Sequence, residues 1–246
     1  MTIERRNFPQ FFITAPSPCP YLPGKSERKV FTHLVGADSR NLNTMLSQGG
    51  FRRSQNIAYR PACDNCQACT SVRVPVKLFN WTKSFRRVLR GNSDLVASVV
   101  KAQATSEHYS LFRGYIDTRH SEGGMADMSV LDFAAMVDDT VADSRVVEYR
   151  FNSSSEYAGE LACAVLMDIL GDGISLIYSF YEPSYEQRSL GTLMVLDAIQ
   201  RAQRLGLPYV YLGYFVRGSR KMEYKARFAP QERLTVEGWR LIDERP

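Results

Sequence analysis

Ile174-Ser-Leu-Ile-Tyr-Ser-Phe-Tyr181, the junction Glu182-Pro-Ser-Tyr-Glu-Gln-Arg-Ser-Leu-Gly-Thr192, a periodic run to Arg204, and Leu207-Pro-Tyr-Val-Tyr-Leu-Gly-Tyr214 decide the fold. The outer segments are rich in β-branched and aromatic residues, as strands are. Between them Leu190, Leu193, Met194, Ile199 and Leu205 recur near the helical period, and Gly206 supplies a stop. Strand, loop, helix, strand is the order of a crossover that lays two strands parallel.

Working outward, Glu160–Leu170 reads as a strand joined to Ile174 by Gly171-Asp-Gly173, a hairpin signal. Arg145–Phe151 reads as another. Ser129 can cap a helix over Val130–Asp138. Thr105 and Ser106 can cap one whose apolar face holds Leu111, Phe112, Tyr115 and Ile116. Lys221–Phe228 predicts a last helix. The second half therefore predicts a mixed α/β sheet. The first hundred residues are punctuated by prolines and glycines instead. There Val72–Val76 alternates as a short strand, which Pro75 places at a sheet edge. A helix over Thr82–Arg90 ends at Gly91, and Leu95–Lys101 is a strand. The change of character near Ala104 predicts a smaller N-terminal domain over residues 1–100 and a larger one over 101–246.

The formal charge is +5 and the pI about 9.0, too mild an excess to prove a polyanionic partner. Its distribution is more informative. Lys83, Arg86, Arg87 and Arg90 are interleaved with Trp81, Phe85, Val88 and Leu89, a pattern that suits a nucleic-acid backbone or a solvated helix face. No apolar run is long enough to cross a bilayer, and Met1-Thr-Ile-Glu-Arg-Arg-Asn-Phe8 lacks the apolar stretch of a signal peptide. A cytoplasmic address is expected, where thiols stay reduced. Cys63, Cys66 and Cys69, with Cys19 upstream, are then metal ligands, reactive groups or core residues rather than disulfides.

The junction at 182–192 leads from a strand into a helix start, where free N–H groups face an anion and Arg188 adds a donor fork. With only His33, His108 and His120 present, no Ser-His-Asp set is evident. An activated ester needs no enzyme nucleophile, only an amine that is positioned and relieved of its proton. Tyr178, Tyr181, Tyr211 and Tyr214 are the polar side chains that strands can offer beside the junction. Strict alternation separates Tyr211 from Tyr214. Lys221, Tyr224 and Lys225 fall at helical spacing, on a charged face that is either functional or merely solvated.

The spacing Gln187-Arg188-x-x-Gly191 resembles the pyrophosphate loop of GCN5-related N-acyltransferases. Taken together, Cys19-Pro-Tyr-Leu-Pro23, Phe31-Thr32, Gly50-Phe-Arg-Arg-Ser54, Tyr59-Arg-Pro-Ala-Cys63, Cys66, Ala68-Cys69 and Arg73-Val-Pro75 resemble the arginyl-tRNA–protein transferase family, in its bacterial, leucine-transferring branch. The later motifs Ser179-Phe-Tyr-Glu-Pro183, Arg188-Ser-Leu-Gly191, Leu212-Gly-Tyr214 and Lys221-Met-Glu-Tyr-Lys-Ala-Arg-Phe228 carry the likeness to the end of the chain.

The resemblance implies a GCN5-like acyltransferase fold in the C-terminal part, with a smaller N-terminal domain packed on it. It implies an enzyme that moves leucine from leucyl-tRNA to the N-terminal amine of proteins beginning with Asp or Glu, marking them for proteolysis. Arginine as the group moved is the nearest alternative. A non-catalytic, metal-containing RNA-binding module is an alternative of another class. On this reading Lys83, Arg86, Arg87, Arg90, Arg188, Gly191, Lys221 and Lys225 contact the donor tRNA. Arg52, Arg53, Tyr59 and Arg60 read the acceptor, because a guanidinium grips a carboxylate two-handed. Tyr178, Tyr181, Tyr214 and Glu223 are candidates to orient the amine or stabilise the oxyanion. The chemistry requires no cofactor. Cys19, Cys63, Cys66 and Cys69 could still hold zinc or an iron–sulfur cluster. Eukaryotic members carry a second cysteine close after the first, whereas Cys19 is followed by Pro20, Tyr21 and Leu22, so a relative's metal cannot be transferred whole, and metal-free packing stands beside it.

Overall fold

The computed structural model describes residues 9–121 and 123–242. Its first part contains β1 (Phe11–Ile13), β2 (Ser17–Pro18), β3 (Ser26–Glu27), β4 (Lys29–His33), α1 (Ser39–Gln48), β5 (Arg52–Ser54) and β6 (Ile57–Pro61). There follow β7 (Cys69–Pro75), α2 (Lys83–Gly91), β8 (Leu95–Lys101), α3 (Ser106–Arg119), α4 (Val130–Asp138), β9 (Asp143–Phe151), β10 (Leu161–Leu170) and β11 (Gly173–Tyr181). The chain closes with α5 (Leu190–Arg204), β12 (Tyr209–Val216), α6 (Arg220–Glu223), β13 (Gln231–Thr235) and β14 (Gly238–Ile242).

Local chemistry sets most of these boundaries. The Thr82 and Thr105 hydroxyls accept the N–H groups of Phe85 and His108 at the starts of α2 and α3. Ser129 and Asp132 form a reciprocal capping box on α4. The helix expected at Lys221–Phe228 divides into α6 and a tighter 3₁₀ turn over Tyr224–Arg227, which carries Lys225 and Ala226 into the interior.

The mixed α/β expectation holds. Eight strands form one sheet in the order β14-β13-β7-β12-β11-β10-β9-β8, and four more form a smaller sheet, β1-β4-β6-β5. β7 corrects the reading of an edge strand: it lies inside the large sheet, antiparallel to both β12 and β13. Pro75 is tolerated there because it is the last residue of the strand, where the ladder ends. β7 and β8 also put strands from before residue 100 into the same sheet as those after it. The smaller unit is therefore β1–β6 with α1.

α2 and α5 cover one face of the large sheet, around a core that includes Phe85, Val165, Leu196, Ile199 and Val210. α3 and α4 cover part of the other, around Phe112, Ile116, Phe133 and Leu166. The smaller unit occupies the rest of that second face. Arg53 reaches from β5 to Asp168 on β10, and both side chains are 1% exposed. Asp168 shares its face with Ala164 and Leu166, by alternation along β10. No helix among the described residues is long and apolar enough to cross a membrane.

Candidate active site

β11 and β12 are the only parallel neighbours among the described strands, and they pair over a short distance. Gly173, Ile174 and Ser175 lie opposite Tyr209, Val210 and Tyr211; beyond that the strands part. The start is tight: a Cβ on Gly173 would lie 2.6 Å from the Tyr209 carbonyl oxygen. Each strand carries a bulge where they separate. Ile177 on β11 has no partner on β10, and Leu212 on β12 has none on β7. A bulge re-aims the residues that follow it. The one at Leu212 overturns the alternation expected for the tyrosines, so Tyr211 and Tyr214 both face the smaller unit. Tyr211 lines a crevice with Ser47, Phe51 and Arg52, and Tyr214 donates its hydroxyl hydrogen to the Gly50 and Tyr59 carbonyls, at 3.0 Å each.

The guanidinium of Arg52 enters the split. Its Nη2 donates to the Leu176 and Ile177 carbonyls at 3.0 and 2.9 Å, and Nη1 to the Leu212 carbonyl at 3.2 Å. Gly213 makes room for it: φ is +76°, and a Cβ would lie 1.2 Å from Nη1. Beside it Lys225 Nζ donates to the Tyr214 carbonyl at 2.7 Å. Burial, then the neighbouring Arg52 charge, push the lysine well below its usual pKa.

Phenols line the outer split. Tyr181, at the end of β11, packs on Tyr115 of α3 with ring centroids 4.8 Å apart, and Arg119 lies 5.9 Å from the Tyr181 ring. Tyr178 is pushed up to about 12 by burial. Tyr115 and Tyr214 are raised further, chiefly by burial and then by neighbouring phenols. At neutral pH these groups are hydrogen-bond donors, not bases. His120 Nε2 lies 3.2 Å from the Tyr115 hydroxyl; burial, then Lys221 and Arg119, hold its pKa below the usual value. Glu223 is exposed at the end of α6.

The N-terminus of α5 closes one end of the split. Ser189 adopts φ 56° and offers no side-chain cap, and a Cβ on Gly191 would lie 3.9 Å from the Tyr181 ring. Arg188 does not project toward this opening. It ion-pairs with Asp94 and donates to Asn92 and the Gly91 carbonyl, tying the loop to α2. On α2 itself Lys83, Arg86, Arg87 and Arg90 are all exposed, and none has a carboxylate within salt-bridge distance among the described residues.

Two expected contacts are corrected by burial. Arg53 gives Asp168 a two-handed ion pair at 2.5 and 2.7 Å and also donates to Ser144 and the Gln55 carbonyl, so no fork is left for an acceptor. Lys225 is turned inward and cannot meet a tRNA phosphate. Tyr59 and exposed Arg60 do sit beside the split: the Tyr59 ring lies 6.3 Å from that of Tyr214, and the Arg60 guanidinium lies over Phe51. The structure adds Tyr115, Arg119 and Tyr21. Tyr115 and Arg119 share one helix face by their spacing; from the sequence Tyr115 belongs to the apolar core face and Arg119 has no role in the site. Burial, then Tyr59, push Tyr21 up to about 12.

The cysteines gather beside this region. Cys69 is pushed up to about 11 by burial, then by the neighbouring Cys19, Cys63 and Cys66. Four soft donors suit zinc or an iron–sulfur cluster in kind. In geometry they do not, since no three His, Cys, Asp or Glu side chains among the described residues are arranged to hold a metal ion.

Residues 17–87 match the family model described as arginine-tRNA-protein transferase, N terminus, and residues 107–235 the one described as its C terminus. The aspartate/glutamate leucyltransferase of Bradyrhizobium sp. (strain BTAi1) is 57% identical over 248 residues, covering 99% of this chain and 96% of that protein. The one from Azorhizobium caulinodans is 57% identical over 249 residues, covering 99% and 100%. Among solved structures, FemX aligns with a TM-score of 0.46 at 11% identity, over 76% of this chain and 63% of its own. Matched along both halves and related to these enzymes over nearly its whole length, the chain belongs to the arginine-tRNA-protein transferase family.

Proposed function

We propose that this enzyme moves leucine from leucyl-tRNA to the α-amine of proteins whose first residue is Asp or Glu, in the cytoplasm, and so marks them for degradation. The observation that carries the reading is the split between β11 and β12, lined by protonated phenols and cations. Relatives named for this activity, alike from end to end, support the choice of leucine and of acidic acceptors.

The chemistry follows from the surroundings. The acceptor amine attacks the ester carbonyl carbon, the C–O bond to the tRNA ribose breaks, and the proton lost by the amine nitrogen ends on the ribose oxygen. Phenolic O–H groups of Tyr115, Tyr178 and Tyr181 are donors available to the developing oxyanion. Lys221 adds positive charge beside His120, whereas Arg119 is neutralised by its ion pair with Glu186; a cation there disfavours an ammonium and favours the neutral amine needed for attack. The exposed Arg60, which gives one N–H to the Gly49 carbonyl, has donors left to meet the acceptor's carboxylate, and Tyr59 walls that position. The α2 stripe, tied to the α5 N-terminus through Arg188, takes the tRNA phosphates.

The test offers tRNA charged with labelled leucine or arginine and a peptide beginning with Asp. Leucine transfer is expected. Transfer of arginine alone would replace the donor, and transfer of neither would end the reading.

A further inference from the structure

Arg52 stands where a β-ladder is missing. After Ser175 and Tyr211 the two strands no longer bond each other, and their carbonyls at Leu176, Ile177 and Leu212 need other donors. A planar guanidinium supplies hydrogens in several fixed directions, which a lysine's point charge does not. Arg52 serves all three carbonyls, and it reaches them from a different sheet. Gly213 is the complementary cut-out: any side chain there would overlap the guanidinium.

The same bonds remove Arg52 as a carboxylate reader. Of its five N–H groups three are spent, including both on Nη2. Each two-pronged edge of a guanidinium uses one of the Nη2 hydrogens, so neither edge can grip a carboxylate.

We infer that Arg52 is a positioning residue that props β11 and β12 apart and pins their bulges, so that the aminoacyl group finds an open split. The inference rests on the transfer reaction proposed above only for its kinetic readout. The side chain of one unit thus completes the acyl site of the other.

The experiment uses full-length Arg52→Met, Arg52→Ala, Arg52→Lys, Gly213→Ala and Arg52→Ala/Gly213→Ala chains, with aminoacyl-tRNA and matched peptides beginning with Asp or Asn. Arg52→Met and Arg52→Ala should lower kcat about 100-fold, the usual effect of a misplaced reacting geometry, while the peptide KM and the preference for Asp over Asn stay as they were. Arg52→Lys should recover part of the loss, and added guanidinium should restore Arg52→Ala saturably. Gly213→Ala should lower kcat alone and cost less once Arg52 is already Ala, because the overlap is gone and only the strain of a side chain at φ +76° remains. A raised peptide KM with lost Asp preference, or a Gly213→Ala chain with full kcat, would overturn the inference.

Amide exchange supplies a readout independent of activity. Uptake over 174–181 and 209–216 should rise in Arg52→Ala and not in Arg60→Ala; equal protection in wild type and Arg52→Ala would also refute the wedge. That result stands even if the wild-type chain transfers no aminoacyl group. Should Arg52→Ala not fold, Arg52→Lys carries the same comparisons.

Discussion

Two groups of cations look alike in the sequence and live differently in the molecule. Arg52 and Arg53 follow Phe51; Arg86 and Arg87 follow Phe85. The first pair is drawn inward, Arg53 onto a carboxylate and Arg52 onto three carbonyls. The second, with Lys83 and Arg90, stays on the outer side of α2 in water. What separates them is the set of acceptors brought within reach by distant strands. Asp168 and Leu212 lie more than a hundred residues downstream of the arginines they satisfy. The chemistry of an arginine is therefore assigned by its neighbours across the fold rather than by its neighbours in the chain.

The contrast breaks most readily at the buried pair. Arg53→Ala leaves Asp168 charged and unpaired in the interior, and urea denaturation should show a loss of about 3–5 kcal/mol. Replacing both partners by apolar residues of similar volume should recover most of that loss; an Arg53→Ala chain as stable as wild type would show the pair to be solvated. The outer group should behave in the opposite way. Arg86→Ala/Arg87→Ala/Arg90→Ala should leave the unfolding temperature in place, while KM for aminoacyl-tRNA rises and the salt dependence of binding flattens by about one unit of slope per cation removed. An unchanged slope would move the tRNA elsewhere.

Lys225 sharpens the comparison as a buried amine that, among the described residues, meets a carbonyl and no carboxylate. Its pKa is depressed in the folded state, so between that value and the unfolded one the unfolded chain binds the extra proton and stability rises with pH. Above about pH 10 the buried tyrosines act with the opposite sign, because folding raises their pKa values. Lys225→Met should shift stability by less than about 1.5 kcal/mol and flatten the rise below pH 10, as read from denaturation at a series of pH values. A rise that persists in the variant would belong to another group. The smallest effect concerns Cys69. With its pKa pushed up to about 11, its alkylation rate should climb roughly tenfold per pH unit from 8 to 10, and mass spectrometry of labelled peptides would read it. A plateau below pH 9 would contradict the burial.

Local patterns carried a good part of the architecture. The period of Leu193, Met194 and Ile199, the turn at Gly171-Asp-Gly173 and the caps at Thr82, Thr105 and Ser129 are short-range facts, and the elements stand where these put them. What depended on pairing did not show. Pro75 argued for an edge because its own strand cannot reveal that β12 and β13 flank it. Tyr211 and Tyr214 share one side because the extra residue Leu212 resets the alternation, and a bulge leaves no mark in composition. Tyr115 and Arg119 lay hidden in a helix whose polar residues face another strand's end. Arg188 was found at the right loop and assigned the wrong partner, since Asp94 approaches only after folding.

β7 has a consequence for biosynthesis. It is made early, yet Cys69 pairs with Val216 and Arg73 with Glu232, residues translated well over a hundred positions later. Throughout elongation β7 waits with both edges open, the kind of exposed template that chaperones shield. A ribosome-bound or truncated chain lacks the strand that carries Leu212 and Gly213, so it has no split for Arg52 to hold. Until β12 has been made, the transferase therefore has no split to hold open.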